Sequence, residues 1–285
     1  MDTILITCLI RNNEKYIPYM IKMFDSLEKN CNYNFKYLIY TNDNNDKSLE
    51  LLNQNKLSNM KIIEENLEED ILNMGRITRL YHIREKVLKL TVKETFNYLL
   101  MIDSDIFFNS NILETALFEL KNTNFEVITS NTLGGDFFPF IFYYDDFSYR
   151  DLNNTTIKNT IFKKFVKFIK TTYDNNIEEV NSSFGGFFLI KKKDILKENI
   201  TYLENIKENK CEHIDFNKNF KIGLVPYINP LRVSGREGDH IYKKYMDIIM
   251  KNKYDNRDDT KNILLVSLIV FIFILIILYR KFIRS

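Results

Sequence analysis

The sequence predicts an α/β protein with a doubly wound, mostly parallel sheet. Short apolar runs alternate with segments of helical periodicity from residue 3 to residue 130, as in successive βα units. Residues 99–102 are all apolar, which is typical of a strand buried on both faces of a parallel sheet. The chain of 285 residues is long enough for one large α/β domain or two small ones.

The predicted elements follow in order along the chain. Pro18 falls in the first turn of the first helix, where its missing N–H costs nothing. Apolar runs predict strands at 3–10, 35–40, 60–64, 99–108 and 126–130, then one after residue 186 and a last one at 224–233. Apolar residues at helical spacing predict helices at 17–27, 48–55, 75–90 and 112–120.

The amino-acid composition bears on the binding partners of the protein and on the redox state of its cellular compartment. The formal net charge of +2 gives no reason to expect nucleic acid as a partner, and we expect none. The three cysteines, Cys8, Cys31 and Cys211, are odd in number and widely spaced. They therefore predict neither a disulfide framework nor a metal cluster, and they fit a reducing compartment.

Two aspartates, Asp103 and Asp105, follow the apolar residues 99–102. Ligands of open α/β sheets bind at the carboxyl ends of such strands. Residues i and i+2 of an extended segment point to the same side, so both carboxylates can face one ion. Such hard oxygen ligands suit Mg²⁺ or Mn²⁺, which then carry a substrate diphosphate. The alternative is an acidic turn that caps the next helix.

The predicted helix at 75–90 carries Arg76, Arg79 and Arg84 beside its apolar stripe. The planar guanidinium group forms bidentate hydrogen bonds, which suits the recognition of a diphosphate. The alternative is an ordinary solvated basic face.

Three later segments have the composition of a binding site. Residues 131–147 are dense in aromatic and acidic side chains, which suits a sugar ring or, alternatively, an aromatic mini-core under a long loop. Gly185 and Gly186 would let a ligand approach the backbone. Glu212, His213 and Asp215 are expected at alternating positions on one side of the chain.

The carboxyl-terminal part predicts a membrane protein. Residues 263–279 contain no charged side chain and are followed by Arg280 and Lys281, so we predict a single transmembrane helix at 262–280. A buried core helix is the alternative. We expect a domain at 1–250 on the cytosolic side, a charged linker at 251–261 and a short basic tail at 281–285. The basic amphipathic stretch 160–173 fits an ordinary surface helix or contact with the membrane surface.

In element order, residues 1–240 resemble a glycosyltransferase of the GT-A type. The resemblance rests on the amino-terminal βαβ half, on Asp103-Ser104-Asp105 and on the glycine-containing segment 182–186. More narrowly, four stretches are similar to the fungal capsule-associated α-1,3-mannosyltransferase family. They are 78–80 with 83–85, 98–105, 142–151, and 182–186 with 211–213. This chain differs from that family in lacking tryptophan in 182–186 and in carrying its predicted anchor at the carboxyl terminus.

The resemblance implies metal-dependent transfer of a sugar, with mannose favoured, from a nucleotide-sugar to a glycan or to a lipid- or protein-linked acceptor. GDP-mannose is the favoured donor, and Mn²⁺ or Mg²⁺ is the implied cofactor. Asp103, Asp105 and His213 are the implied metal ligands, and Glu212 and Asp215 the implied catalytic residues. The implied donor contacts are Arg11, Asp43, Arg76, Arg79 and Asp103, and the implied acceptor contacts are Asp136, Tyr143, Asp145, Gly185 and Gly186.

Two other functions fit parts of the sequence. A phosphatase of the haloacid-dehalogenase type also has an Asp-x-Asp after an apolar strand, with the first aspartate as nucleophile. Such enzymes carry the motif on their first strand, whereas βα units precede it here, and Ile106 and Phe107 stand where a small hydroxyl residue is expected. A membrane-tethered sugar-binding module would bind its ligand without metal dependence or turnover.

Overall fold

The computed structural model describes residues 1–137, 140–143, 145, 147–157, 176–204, 206 and 210–232, with the backbone alone for 133–137 and 140–143. The predicted basic helix at 160–173, the linker at 251–261, the transmembrane segment at 262–280 and the tail at 281–285 lie outside these residues. Among the residues described, no helix has the length and apolar character needed to cross a membrane.

The described residues form twelve strands and seven helices. The strands are β1 (Thr3–Ile10), β2 (Asn34–Asn42), β3 (Met60–Glu65), β4 (Tyr98–Asp103), β5 (Ile106–Phe107), β6 (Val127–Ser130), β7 (Leu133–Phe137), β8 (Phe140–Tyr143), β9 (Glu178–Val180), β10 (Phe187–Lys191), β11 (Ile222–Val225) and β12 (Leu231–Arg232). The helices are α1 (Ile17–Asn30), α2 (Ser48–Gln54), α3 (Glu69–Leu72), α4 (Arg76–Thr91), α5 (Ser110–Asn122), α6 (Lys192–Ile195) and α7 (Glu212–Asn217).

The large sheet has eight strands in the order β3-β2-β1-β4-β10-β6-β11-β9. Strand β10 runs antiparallel to β4 and β6, β9 runs antiparallel to β11, and the other neighbours are parallel. The predicted mostly parallel α/β sheet is therefore confirmed. A smaller sheet has the order β5-β12-β7-β8.

Apolar side chains cover both faces of the large sheet. Ile4 and Ile6 of β1 pack in one core cluster with Phe24 of α1. Leu5 points to the other face, in a second cluster with Tyr81 of α4. Because both faces are buried, the central strands need apolar residues at every position, and this explains the continuous apolar runs in the sequence.

Two predicted strands are each divided in the structure. The stretch 99–108 turns at Ser104 and Asp105, so that β5 joins the smaller sheet. The stretch 224–233 is divided because Pro226 and Pro230 lack the N–H that a sheet interior requires. Its pieces, β11 and β12, lie in different sheets.

The strand order changes direction at β1. Strand β2 lies on one side of β1 and β4 on the other, so the chain connections leave β1 in opposite directions. Such a switch point opens a crevice at the carboxyl ends of the two central strands. The register pairs Leu9 of β1 with Asp103 of β4, which places the first aspartate at the mouth of this crevice.

Candidate active site

A cavity of about 620 Å³ opens at the carboxyl ends of β1 and β4. Its volume lies within the range of about 300–1,000 Å³ that is usual for sites that bind small molecules. Its lining comes from the ends of β1, β2 and β4, from the loops after β1 and β4, from α4, and from residues far along the chain. The lining residues are Leu9, Ile10, Arg11, Asn13, Asn42, Arg76, Ile77, Arg79, Leu80, Ile83, Arg84, Asp103, Ser104, Asp105, Asp145, Phe147, Ser148, Phe184, Cys211, Glu212, His213 and Arg232.

Asp103 and Asp105 both line this cavity, but by a different geometry from the one predicted. Asp103 ends β4, whereas Asp105 lies in the turn before β5. The prediction that one extended strand presents both carboxylates is therefore wrong, and the turn brings them together. The N–H of Asp103 donates to the carbonyl of Gly186 over 3.1 Å, which fixes the end of β4.

Arg84 forms ion pairs with two acidic residues of the cavity. Its Nη2 lies 3.2 Å from Oδ1 of Asp103, and its Nε lies 2.8 Å from Oε1 of Glu212. The Arg84 side chain is only 10% exposed. Arg84 therefore neutralises Asp103 and the buried Glu212, so that its guanidinium group is not available to a diphosphate. This corrects its predicted place among the diphosphate-binding arginines.

The Asp103–Asp105 pair has the chemistry of a divalent-cation site. Burial raises the pKa of Asp103 to about 6, with Arg84 opposing and Asp105 adding to the rise. Burial also raises the pKa of Asp105, against the opposing charge of Arg232, whose Nε lies 3.0 Å from Oδ2 of Asp105. With Glu212, three carboxylates thus face two guanidinium groups, and a cation would offset the remaining negative charge.

The third metal ligand that the resemblance implies does not join Asp103 and Asp105 in the described part of the chain. Among the described residues, no group of three or more His, Cys, Asp and Glu side chains is placed to hold a metal ion. A cation at Asp103 and Asp105 would therefore complete its coordination with other oxygens, such as those of a substrate phosphate.

His213, the predicted third ligand, is instead part of an aromatic stack. Its ring lies on that of Phe184, with centroids 3.8 Å apart. Burial and the nearby Arg84 hold the pKa of His213 well below its usual value, although Glu212 opposes them. Arg84 bridges Glu212 and Asp103, so Glu212, the neighbour of His213 in sequence, meets the acidic pair only through a guanidinium group.

Glu212 and Asp215 lie on helix α7, and not on the extended segment that was predicted. Glu212 lines the cavity. Burial would raise its pKa, but His213 and Arg84 lower it to about 2, so it stays ionised. Asp215 is not among the cavity residues, and Lys210 and Lys218 bind its carboxylate. The structure therefore does not support a catalytic role for Asp215.

Of the predicted acceptor contacts, Asp145 lines the cavity and also holds the backbone of the neighbouring segment. The carboxylate of Asp145 accepts hydrogen bonds from the backbone N–H of Gly185 over 2.6 Å and of Phe184 over 3.2 Å. Gly185 and Gly186 are not among the cavity residues. The side chains of Asp136 and Tyr143 lie outside the described residues.

Gly186 is required by packing. Its φ is +66°, and a Cβ there would lie 2.4 Å from Cγ1 of Ile106. We expect Gly186→Ala to destabilise the fold by about 2–4 kcal/mol, from a left-handed backbone and overpacking together. Urea unfolding measures the loss. Gly75→Ala, at an exposed helix start with φ −56°, should cost about 1 kcal/mol or less, and an equal loss in both variants would contradict this role.

The predicted donor contacts gather at the opening of the cavity. Arg11, Arg76 and Arg79 line it. Asp43 does not, but its carbonyl accepts a hydrogen bond from Nε of Arg11 over 3.4 Å. The loop after β1 is tied to the loop after β2, since the N–H of Asn12 donates to Oδ1 of Asn44 over 3.0 Å. These contacts hold two predicted donor-binding loops together.

Several cavity residues have no predicted role. Asn13 and Asn42 lie in or beside loops whose polar composition is visible in the sequence. Arg232 and Phe184 do not lie in polar loops of this kind, so the sequence does not point to them as cavity residues. Arg232 reaches Asp105 because β12 pairs with β5, across 127 positions of sequence.

Asp103 makes stability depend on pH in a defined direction. Its carboxyl titrates at an ordinary pKa of 3.8 when exposed and at about 6 in the fold, so the folded state binds more protons between these values. Its contribution to stability is therefore present below pH 4 and is lost as the pH rises through about 6. Urea unfolding from pH 4 to 7 without metal should show this fall, and Asp103→Asn should remove it. An identical pH profile for the two proteins would contradict the shift.

Comparisons with protein-family models and with curated proteins find no match. Among solved structures, the chain is similar to TarS residues 1–349 of S. aureus, with 15% identity and a TM-score of 0.48 over 94% of this chain and 71% of that one. For TarS in complex with UDP-GlcNAc the identity is 14%. The mannosyltransferase PcManGT of Pyrobaculum calidifontis, in complex with GDP-Man and Mn²⁺, has 10% identity and a TM-score of 0.48 over 84% of this chain and 59% of its own length. These likenesses are distant.

Proposed function

We propose that this protein is a metal-dependent glycosyltransferase that transfers a sugar from a nucleotide-sugar donor to a hydroxyl acceptor. The observation that supports this most is the partly exposed pair Asp103 and Asp105 at the switch-point cavity, with three arginines lining the same cavity. Nucleotide ligands of doubly wound sheets bind at this place. The cavity volume of about 620 Å³ suits such a ligand.

The arginines favour a diphosphate. Arg11, Arg76 and Arg79 line the cavity, and within the described ranges none of them forms an ion pair with a carboxylate. Arg76 lies near enough to Asp105 for its charge to lower the pKa of that carboxyl. Guanidinium groups without acidic partners, next to a site for a divalent cation, match the charges of a nucleoside diphosphate.

The proposed reaction breaks the bond between the sugar carbon and the diphosphate oxygen and forms one to the acceptor oxygen. When bound, Mn²⁺ or Mg²⁺ would supply Lewis-acid neutralisation of the leaving diphosphate. Arg76 and Arg79 add charge-assisted hydrogen bonds to the same group. We propose that Glu212, which is ionised in the cavity, acts as the base that accepts the proton of the acceptor hydroxyl. Because its pKa is about 2 and it is paired with Arg84, Glu212 is a weak base and passes this proton on to the solvent.

The sequence suggests the identity of the sugar, the donor and the acceptor, and a membrane anchor. We propose mannose as the sugar and GDP-mannose as the donor, because stretches such as 98–105 and 142–151 resemble the capsule-associated mannosyltransferases. The acceptor is a glycan or a lipid- or protein-linked sugar. Residues 262–280 form the proposed single membrane anchor, which would leave the catalytic domain on the cytosolic side.

Donor binding by the full-length protein in detergent tests the proposal. We would measure thermal stability with GDP-, UDP- and CMP-sugars, with and without Mn²⁺. A donor at ~100 times its dissociation constant should add about 2.7 kcal/mol of stability, and we expect this with GDP-mannose only when Mn²⁺ is present. No stabilisation by any donor would contradict the proposal. Hydrolysis of a generic phosphoester would then indicate the phosphatase, and metal-independent sugar binding without turnover the binding module.

A further inference from the structure

Four residues of the cavity, Phe147, Ser148, Phe184 and His213, form a connected group that we call the aromatic wall. The carboxylate of Asp145 joins its parts, since it accepts from the backbone N–H groups of Ser148 and Phe184. The ring of Phe184 then stacks on His213 at a centroid distance of 3.8 Å. All four residues line the cavity, yet none has a role in donor binding as proposed above.

His213 carries polar atoms that lack a partner. The residue is 2% exposed, and within the described part of the chain neither ring nitrogen has a hydrogen bond. The carboxylate oxygen of Glu212 nearest to Nε2 is 3.5 Å away, which is long for a hydrogen bond. Buried polar atoms are normally paired, and the ring borders the cavity. A ligand group in the cavity would therefore complete the hydrogen bonding of His213 once a small side-chain movement exposes one of its nitrogens.

Phe147 presents a large apolar ring at the same cavity. It is 46% exposed, although its backbone is held in place. Its carbonyl accepts from Nη1 of Arg150 over 3.2 Å, and the N–H of the next residue, Ser148, donates to Asp145 over 3.1 Å. An exposed aromatic ring on a held backbone, beside a polar cavity, suits a ligand with an apolar face of its own, such as the C–H face of a sugar ring.

The charges around the wall argue against an anionic ligand there. The guanidinium of Arg84 lies 4.8 Å from the ring centre of Phe184, but it is already paired with Glu212 and Asp103. The hydroxyl of Ser148 is already used, since it donates to Asp145 and accepts from the N–H of Phe184. The wall itself offers the imidazole of His213, which can both donate and accept a hydrogen bond. A sugar hydroxyl also does both.

We infer that the aromatic wall binds an uncharged sugar of the acceptor, with Phe147 stacking on its ring and His213 bonding a hydroxyl. This rests on the proposed glycosyl transfer and adds the chemical class of the acceptor. The competing possibility is an anionic acceptor, such as a lipid phosphate, and the test must distinguish it from a neutral sugar.

The test uses the full-length protein, saturated with GDP and Mn²⁺, on an array of neutral and acidic oligosaccharides. We expect the protein to retain neutral glycans only. His213→Phe keeps the ring that stacks on Phe184 and removes both nitrogens, and Phe147→Ala removes the rim ring. Each variant should bind the retained glycan about tenfold more weakly. Phe118→Ala, on α5 at a residue 61% exposed and not among the cavity residues, should bind it as the wild type does.

Donor affinity separates the failure of this inference from failure of the proposed function. Both wall variants should bind GDP-mannose with Mn²⁺ within about twofold of the wild type. Intact donor binding with retention of acidic glycans only, or of none, would overturn the inference and leave the proposed function standing. Weaker donor binding by the Phe147→Ala variant would also overturn the inference, because it would show that the Phe147 ring contacts the base of the donor. If the wild type binds no donor, the proposed function fails and the inference fails with it.

Thermal unfolding of His213→Phe provides a check that does not depend on any ligand. Replacing unpaired buried nitrogens by an apolar ring is close to neutral or stabilising, so the variant should melt at or above the temperature of the wild type. A melting temperature more than about 5 °C lower would show that the nitrogens are paired in the folded protein, and would overturn the role given to His213.

Discussion

Asp105→Asn is expected to abolish Mn²⁺-dependent donor binding and sugar transfer. Asp103 and Asp105 are the only two carboxylates assigned to the ion, so losing one leaves a single protein ligand. Residues that merely hydrogen-bond to metal ligands already contribute about 10- to 100-fold to metal affinity, and losing a ligand itself should cost more than about 100-fold. Titration of Mn²⁺ by calorimetry, with GDP-mannose present, measures the loss. The fold should survive, because burial disfavours the charge that the substitution removes.

The matched control is Asp25→Asn, the same chemical change on the surface of α1. Asp25 is 46% exposed and lies 2.6 Å from Lys29, one helical turn away. Exposed pairs of this kind contribute little to stability, so neither metal affinity nor melting temperature should change. If the Asp105→Asn variant still binds the donor in a Mn²⁺-dependent way, the proposed metal site is contradicted. If the variant binds the donor but no longer responds to Mn²⁺, the arginines alone hold the donor.

Local patterns predicted the central sheet well. Strand β1 was predicted at 3–10, and the structure has it at Thr3–Ile10. Helix α4 was predicted at 75–90 and extends over Arg76–Thr91. These elements have apolar residues at the spacing of the surface they bury, so the information lies within each segment. The conformation predicted for residues 211–216 was wrong, because α7 is buried on every side and its sequence therefore shows no amphipathic period.

The site was predictable only where its residues are neighbours in sequence. Asp103 and Asp105 were recognised because they follow an apolar strand directly. The partner of Arg84, Glu212, lies 128 positions away, so a guanidinium that serves a buried carboxylate looked like one available for phosphate. Gly185 and Gly186 were predicted to let a ligand approach the backbone, but neither is among the cavity residues. Gly186 is needed because a Cβ there would overlap Ile106, and only the folded structure brings these two residues together.

Arg84→Met is expected to destabilise the fold by about 3–5 kcal/mol, which is the usual cost of removing one partner from a buried ion pair. Asp103 and Glu212 would both lose their nearest cation, and the Glu212 side chain is only 5% exposed. Urea unfolding at pH 7 measures the change. Lys89→Met makes the same type of substitution on the same helix. Lys89 is 66% exposed and lies 3.2 Å from Glu85, so its loss should cost about 1 kcal/mol or less.

Two further measurements identify the unpaired charge as the cause of this loss. Adding Glu212→Gln to Arg84→Met should recover part of the stability, because it removes a buried carboxylate that no longer has a cation. In the wild type, Arg84 helps to lower the pKa of Glu212 from 4.5 to about 2. The stability that Glu212 contributes is therefore present above pH 4.5 and is lost as the pH falls toward 2. Without Arg84 the carboxyl protonates at higher pH, so the deficit of the variant should shrink between pH 7 and pH 4.5. Equal deficits at both pH values, with no recovery in the double variant, would indicate that Arg84 acts mainly through its packing on Phe184.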